Sequence, residues 1–556
     1  MKRILLYSIF CGLLFACGND DTLDTLPNSD TDPIVEEPLD EESTTENLLL
    51  QLQGTQLVDS NQNPVYLQGV AFNNYIWNND PLPPDNHHSE LDYERVSAMG
   101  MNTIRFYMNY RVFEDDANPY TYKQSGWDWL DQNIAWAKNH GIYLVLNMHA
   151  PQGGYQSQGA GDALWDDIEN QNRLSALWQA IAARYKNEGQ IAGYGPVNEP
   201  LPSQSIDQWS SLAQRLINDI REVDTNHILF IEQAIQVKGQ AETANFNFPD
   251  VNGTGIIYEF HGYDPYFYTH QLLEFARLGE GGTYPDEDIV ETSGSEWYTT
   301  MFNNPTLIPN TTDWTFYQGE RFLVNDTNIK IAVPLVASGN VGGTVYFDDM
   351  VIKEYDENGN FVRDLPNINL NDAAGWFYWS ENNTGTGGLS SEEGRTDTNS
   401  LFVSGATANS NLGNFNRSFI PKQNYSYEVN GWMKGVDAAA NNRAALRLDF
   451  YTLEGEVSVR NKAYLETEIG QIIVWAQNKN AALYMGEFGA GYPCFQDNKG
   501  GLQFVEDMTD ILTRNDIHFT YHSYHEDSFG LYLGFDLPDP NNVNQPLIDW
   551  FTDNLK

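Results

Sequence analysis

Hydrophobic positions in the first half of this chain fall into short apolar runs, separated by stretches in which they recur with helical spacing. Val65–Phe72 reads as a strand, Leu91–Met99 as an amphipathic helix stopped by Gly100, and Asn102–Phe106 as a second strand with Arg105 near its tip. A helix ends over Ile134–Asn139, and Tyr143–Met148 is a third strand running into His149. After a helix over Leu174–Tyr185 comes Gly193-Tyr194-Gly195-Pro196-Val197-Asn198-Glu199-Pro200, a strand that the proline closes directly behind Glu199. Ser210–Val223 is helical, Ile228–Ile231 is a fifth strand, and Ile256–Phe260 is a sixth, leading into His261-Gly262-Tyr263. Strands alternating with helices are the mark of a parallel sheet with crossover connections.

The rhythm breaks from about 290 to 458, where short β-like runs, asparagines, glycines and tryptophans predict a sandwich. Helical spacing returns over Tyr464–Ala476. A seventh strand, Ala482–Gly489, carries Glu487, and a helix over Leu502–Thr513 precedes an eighth, His518–Tyr524. The expected fold is therefore α/β, a (β/α)8 TIM barrel interrupted by an all-β insert. Strands one to six occupy 47–289, the insert 290–458, and strands seven and eight 459–556. Close termini make such an insertion tolerable.

The N-terminus has a different character. Lys2 and Arg3 precede an apolar run too short to span a membrane, which reads as a secretory signal. Leu14-Phe15-Ala16-Cys17 resembles a bacterial lipobox, which implies cleavage and lipidation at Cys17, and Gly18-Asn19-Asp20-Asp21 resembles the surface-export signal of Bacteroidetes lipoproteins. Residues 18–46 have almost nothing to bury and form an acidic, disordered tether. The expectation is a lipoprotein anchored to the outer membrane and exposed at the surface. Cys11 leaves with the signal and Cys17 is acylated, so Cys494 alone remains in the folded part, too few for a disulfide or a thiolate metal site. A net charge of −47 disfavours nucleic acid and anionic polymers, and favours a neutral partner. Aromatic content of 13% suits stacking on sugar rings, and a monomer is expected.

Glu199 and Glu487 each end a buried strand. Two carboxylates at two strand tips suffice to cleave a glycosidic bond: one protonates the leaving oxygen, the other attacks the anomeric carbon or activates water. Val197-Asn198-Glu199-Pro200 together with Gly486-Glu487-Phe488-Gly489 resembles glycoside hydrolase family 5, the cellulase family of retaining barrels. The resemblance implies Glu199 as general acid/base and Glu487 as nucleophile, with their carboxyls about 5–5.5 Å apart. It further implies Arg105 orienting the nucleophile, His149 lining the substrate-proximal subsite, Asn198 on the sugar 2-hydroxyl, and His261 with Tyr263 beside the pair. His522 stands where the family ends its eighth strand with a tryptophan, which leaves the subsite floor open.

The stretch Gly343–Ile352, followed downstream by Asn399–Val403 and Tyr425–Met433, resembles a jelly-roll carbohydrate-binding module, with its end placed before its beginning as in a circular permutation. Trp376, Tyr378, Trp379 and Trp432 are its candidate sugar platforms, with Trp376 and Tyr378 on one face and Trp379 on the other. Asp349 is a candidate for a structural calcium; no other cofactor is expected, and no metal in the barrel. The activity expected is endo-β-1,4-glucanase. β-Mannanase, mixed-linkage glucanase and exo-β-glucosidase stand as alternatives within the class. Outside it stand a non-catalytic surface glycan-binding lipoprotein and a structural adhesin.

Overall fold

The computed structural model describes residues 49–555, apart from 85–86, 158–159, 238–245, 277, 292–293, 367–375, 415–416 and 455–457. The signal, Cys17 and the tether lie outside the described residues. Eight parallel strands close into a barrel: β1 (Gln68–Phe72), β2 (Thr103–Asn109), β3 (Tyr143–Ala150), β4 (Ile191–Gly195), β5 (Ile228–Glu232), β6 (Ile256–Gly262), β7 (Ala482–Phe488) and β8 (His518–Tyr521). Each pairs with the next in chain order, and β8 closes on β1. The helices that pack around it include α1 (Glu90–Ala98), α2 (Gln124–His140), α3 (Ile168–Tyr185), α4 (Ile206–Arg221), α5 (Lys462–Lys479) and α6 (Gly501–Arg514). Their starts follow local chemistry. Ser89 and Asp92 form a capping box on α1, and Asp167 and Asn461 accept backbone N–H groups at the heads of α3 and α5.

Alternation along each strand separates two cores. On β2, Ile104, Phe106 and Met108 face outward into the layer shared with the helices, which receives Trp209, Leu212, Leu216 and Ile220 from one stripe of α4. Inside the barrel, Val145, Ala192, Phe230, Ile257, Ala482 and Tyr484 make an apolar floor, joined by Leu50 and Leu57 from the hairpin Gln51–Gln53/Gln56–Val58. Above that floor the interior turns polar, with Arg105, Glu232 and Glu259 all buried.

Several element ends differ from the sequence expectation. β4 ends at Gly195 because Pro196 already cannot donate to the ladder, so Glu199 lies on a bend beyond the strand and not at its tip. β2 runs on to Asn109, which places Arg105 inside the strand, deep in the barrel. β1 begins at Gln68, later than Val65, and β8 stops at Tyr521, leaving His522 as the first residue past it.

Between β6 and α5 the chain forms two facing antiparallel sheets. One orders its strands Gly294–Thr300, Ala445–Glu454, Ile331–Gly339, Asn409–Asn414 and Trp376–Ser380. The other centres on Thr344–Tyr355, flanked by Ser426–Val436 and Ser400–Ser404. Val336, Leu412, Leu448 and Phe450 of the first meet Val345, Ile352, Leu401 and Met433 of the second in a separate core. An antiparallel pair, Asp286–Glu291 with Ser458–Arg460, joins the entry and exit of this region. Trp376 and Tyr378 pack on that core and are not platforms, whereas Phe377 and Trp379 point outward, 66% and 45% exposed. The Arg395 guanidinium covers Trp432 at 4.4 Å from its ring centre, so this indole also does not face solvent freely. Arg395 ion-pairs with the carboxylate of Asp349, the candidate calcium ligand, as well.

Trp209 ties the helical layer to the barrel rim, fully buried and donating from Nε1 to the Glu232 carbonyl at 2.9 Å. Trp209→Ala is expected to cost about 3–5 kcal/mol in the barrel's urea unfolding transition.

Candidate active site

At the C-terminal mouth of the barrel the expected residues converge. Arg105, on β2, is fully buried and donates to four acceptors. Nε binds Glu259 Oε1 at 2.7 Å and Nη1 binds Glu487 Oε1 at 2.7 Å. Nη2 is shared between Asn198 Oδ1 at 2.8 Å and Glu232 Oε2 at 3.3 Å. Gly486 makes room for this arrangement: a Cβ there would lie 1.9 Å from Glu259 Oε1 and 3.0 Å from Arg105 Nε.

Glu487 receives two more hydrogen bonds, from Tyr107 to Oε1 at 2.5 Å and from Tyr263 to Oε2 at 2.7 Å. Burial works against its charge, but His261, His522 and Arg105 outweigh it and hold this carboxyl well below its ordinary range. It is an ionised, tightly aimed carboxylate with one Oε2 lone pair left over.

Glu199 is held differently. Its backbone has φ of 43°, a left-handed conformation uncommon for such a residue, and its N–H donates to Glu232 Oε1 at 2.8 Å. Its Oε1 accepts from His261 Nδ1 at 2.9 Å, and among the described residues Oε2 has no hydrogen-bond partner. One oxygen of Glu199 and one of Glu487 lie within 4.8 Å of each other, and both side chains keep some accessible surface, 14% and 5%. At that spacing both carboxyls can reach one anomeric carbon held between them.

His261 joins the two acids. Burial opposes its protonation, but Glu232, Glu487 and Glu199 outweigh it and raise its pKa well above the ordinary value, making it an imidazolium. Beneath it, burial and the neighbouring Glu259 raise the pKa of Glu232 above its ordinary value, against the opposing charges of His261 and Arg105. Glu199, His261 and Glu487 have donor types a cation would accept, but the charges of Arg105 and His261 oppose one there.

His149 Nδ1–H donates to Asn147 Oδ1 at 3.0 Å, leaving Nε2 to accept from Tyr155 at 3.3 Å and from Asn198 at 3.4 Å. His522 lies 3.0 Å from the Tyr107 hydroxyl through Nδ1 and 3.2 Å from Glu526 through Nε2. Burial would lower its pKa, but Glu526 and Glu487 raise it above the ordinary value. The aromatic surface beside this position comes from Trp77, whose ring lies 6.3 Å from His522 and 6.5 Å from His149.

Sequence reasoning missed Tyr107, Glu232, Glu259, Glu526 and Trp77. Two were within reach: Tyr107 follows Arg105 by two residues and Glu259 precedes His261 by two, so strand alternation puts each on its partner's inward face. Glu232 ends β5 much as Glu487 nears the end of β7.

The two close carboxyls lie at the C-terminal mouth of a parallel barrel, the end at which such barrels carry their active sites. The model of the cellulase family, glycosyl hydrolase family 5, matches residues 58–308. Endoglucanase C of Acetivibrio thermocellus is 30% identical over 197 residues, 34% of this chain and 54% of that protein. Cellodextrinase A of Ruminococcus flavefaciens is 25% identical over 224 residues, 39% of this chain and 65% of its own length. The chain thus spans about half the length of the endoglucanase it matches. Among solved structures, Cel5A of Thermotoga maritima with mannotriose covers 88% of this chain and 97% of its own, at 14% identity and a TM-score of 0.46.

Removing Arg105 leaves buried carboxyls without their cation. Arg105→Met is expected to destabilise the barrel by about 3–5 kcal/mol in urea unfolding. Arg105→Lys is expected to recover only part of this, because one ammonium cannot reach four acceptors in a planar fork.

Proposed function

We propose that this protein is a retaining glycoside hydrolase acting on a neutral β-linked polysaccharide, most simply as an endo-β-1,4-glucanase. The observation that carries the reading is the unlike pair within 4.8 Å: Glu487 ionised and fixed by three donors, Glu199 tied to a protonated histidine. Glu487 attacks the anomeric carbon through Oε2 as Glu199 gives a proton to the departing oxygen. Glu199 then takes a proton from the water that resolves the glycosyl-enzyme. His261 keeps a proton at hydrogen-bond distance from Glu199 through both steps. As Glu487 becomes an ester its negative charge disappears, which lowers the proton affinity of His261. Asn198 supports the sugar 2-hydroxyl, and His149, Trp77 and His522 line the sugar bound at the point of cleavage. The names of the relatives, an endoglucanase and a cellodextrinase, support a β-glucan as substrate.

The outward face of the five-stranded sheet is proposed as a glycan platform. Trp379 and Phe377 stand at one edge and Trp297, 48% exposed, at the other, with Asn411 and Arg447 on the floor between them. The lipid anchor at Cys17 and the surface location rest on the N-terminal sequence. Among the described residues no helix is long and apolar enough to cross a membrane.

Glu487→Gln is expected to lower turnover of soluble β-glucan by at least about a thousandfold while substrate still binds. Normal turnover by that variant overturns the assignment. Because Glu487 lies well below the ordinary carboxylate range, the acid limb of kcat/KM is expected below pH 4.5, and the alkaline limb, set by His261, above its ordinary value of 6.5. Tyr107→Phe removes a donor to the charged form, so the acid limb should move to higher pH and kcat fall by about 10- to 100-fold. Trp379→Ala is expected to weaken retention on insoluble glucan and leave turnover of a soluble substrate unchanged.

A further inference from the structure

A second histidine cluster lies beside the cleft, outside the proposed reaction. His87 and His88 come from the connection between β1 and α1, and His525 from the stretch after β8. The His87 ring centre is 4.3 Å from that of His88 and 4.8 Å from that of His525, and one nitrogen of each residue lies within 4.8 Å of the others'.

The hydrogen bonds around the cluster fix where the protons are. Asn74 Nδ2 donates to the Tyr107 carbonyl at 2.9 Å, which turns its Oδ1 toward His88 Nδ1 at 3.1 Å. An amide oxygen only accepts, so Nδ1 carries the proton and His88 Nε2 is a bare lone pair. That Nε2 is buried with no hydrogen-bond partner, and so is Nδ1 of His525, a residue only 1% exposed. Asn73 repeats the device: Nδ2 donates to the His525 carbonyl at 2.6 Å and Oδ1 faces His87 Nε2 at 3.0 Å. The other nitrogen of His87 then meets the Phe535 carbonyl at 3.1 Å. A neutral ring has one N–H, so one of these two contacts sets lone pair against lone pair. Burial lowers the pKa of all three histidines, with the neighbouring rings adding to it at His88 and His525, and this favours the neutral form a metal requires.

His88 and His525 each keep an unused lone pair, the first aimed by the Asn74 amide on the opposite ring nitrogen. His87 offers a third once its ring turns from one of its two carbonyl contacts, which makes a donor set suited to a borderline divalent metal. We propose that His87, His88 and His525 bind one divalent transition-metal ion of the Zn²⁺ class, pinning the segment after β1 to the segment after β8. Tetrahedral Zn–N bonds of about 2.0–2.1 Å place donor nitrogens roughly 3.3 Å apart, so the rings draw together when the ion binds. A cavity of about 370 Å³, lined by His88, Trp129, Trp136 and the exposed Leu537, gives the ion a route inward. The two pinned segments also carry Trp77 and His522, so the ion sets the spacing of two walls of the cleft.

The test uses the purified full chain, stripped with chelator and titrated with Co²⁺ and Zn²⁺. Expected are one equivalent bound, visible bands of tetrahedral Co²⁺, and a Zn²⁺-dependent rise in Tm of several degrees, none of which needs a variant. The His88→Gln/His525→Gln double variant should lose the bands, and Asn74→Ala should bind about 10- to 100-fold more weakly. Absence of both the bands and the Tm rise in the wild-type chain overturns the proposal. So does binding by the double variant as tight as wild type, which would move the ion to Glu199, His261 and Glu487.

Discussion

One buried guanidinium organises this barrel. Arg105 has no access to solvent, and its desolvation is tolerable only because Glu259, Glu487, Glu232 and Asn198 all meet it. These four partners come from β6, β7, β5 and the bend after β4, so one side chain fixes the relative positions of four segments. Gly486 is part of the same constraint, since any side chain there would collide with the Arg105–Glu259 pair.

Unequal surroundings make two like acids chemically unlike. Glu487 lies among hydrogen-bond donors and positive charge, which stabilise its ionised form. The Glu199 side chain accepts from a histidine, and that histidine is kept charged by the carboxyls packed around it. Glu232 serves both sides: its carboxyl lies against His261 at 3.4 Å, while its Oε1 holds the Glu199 backbone in its left-handed bend. Both differences in environment therefore trace to the polar layer above the apolar barrel floor.

The barrel was legible because β-strand and helix periodicities alternate cleanly, and the interruption was legible because helical spacing stops near 290 and returns near 464. Strand ends were less so. Pro200 read as the stop of the fourth strand, and only the closed sheet shows that Pro196 already ends it. Glu232 and Glu259 stayed hidden because a glutamate in an apolar strand has no local mark of its partner, which here is more than a hundred residues away at Arg105. Trp77 was invisible for another reason. The family-pattern tryptophan is tied to the eighth strand, whereas here an indole reaches the neighbourhood of His522 from the loop after β1. Alternation did separate Trp379 from Trp376 and Tyr378, but it could not say which face was the core.

The central claim is that Glu199 and Glu487 act on one anomeric carbon, with Glu487 as the attacking group. The most direct measurement is the anomeric configuration of the first product, followed by proton NMR during hydrolysis of a soluble β-glucan before mutarotation sets in. The β-anomer should accumulate first and decay slowly toward equilibrium. Initial accumulation of the α-anomer would contradict the account.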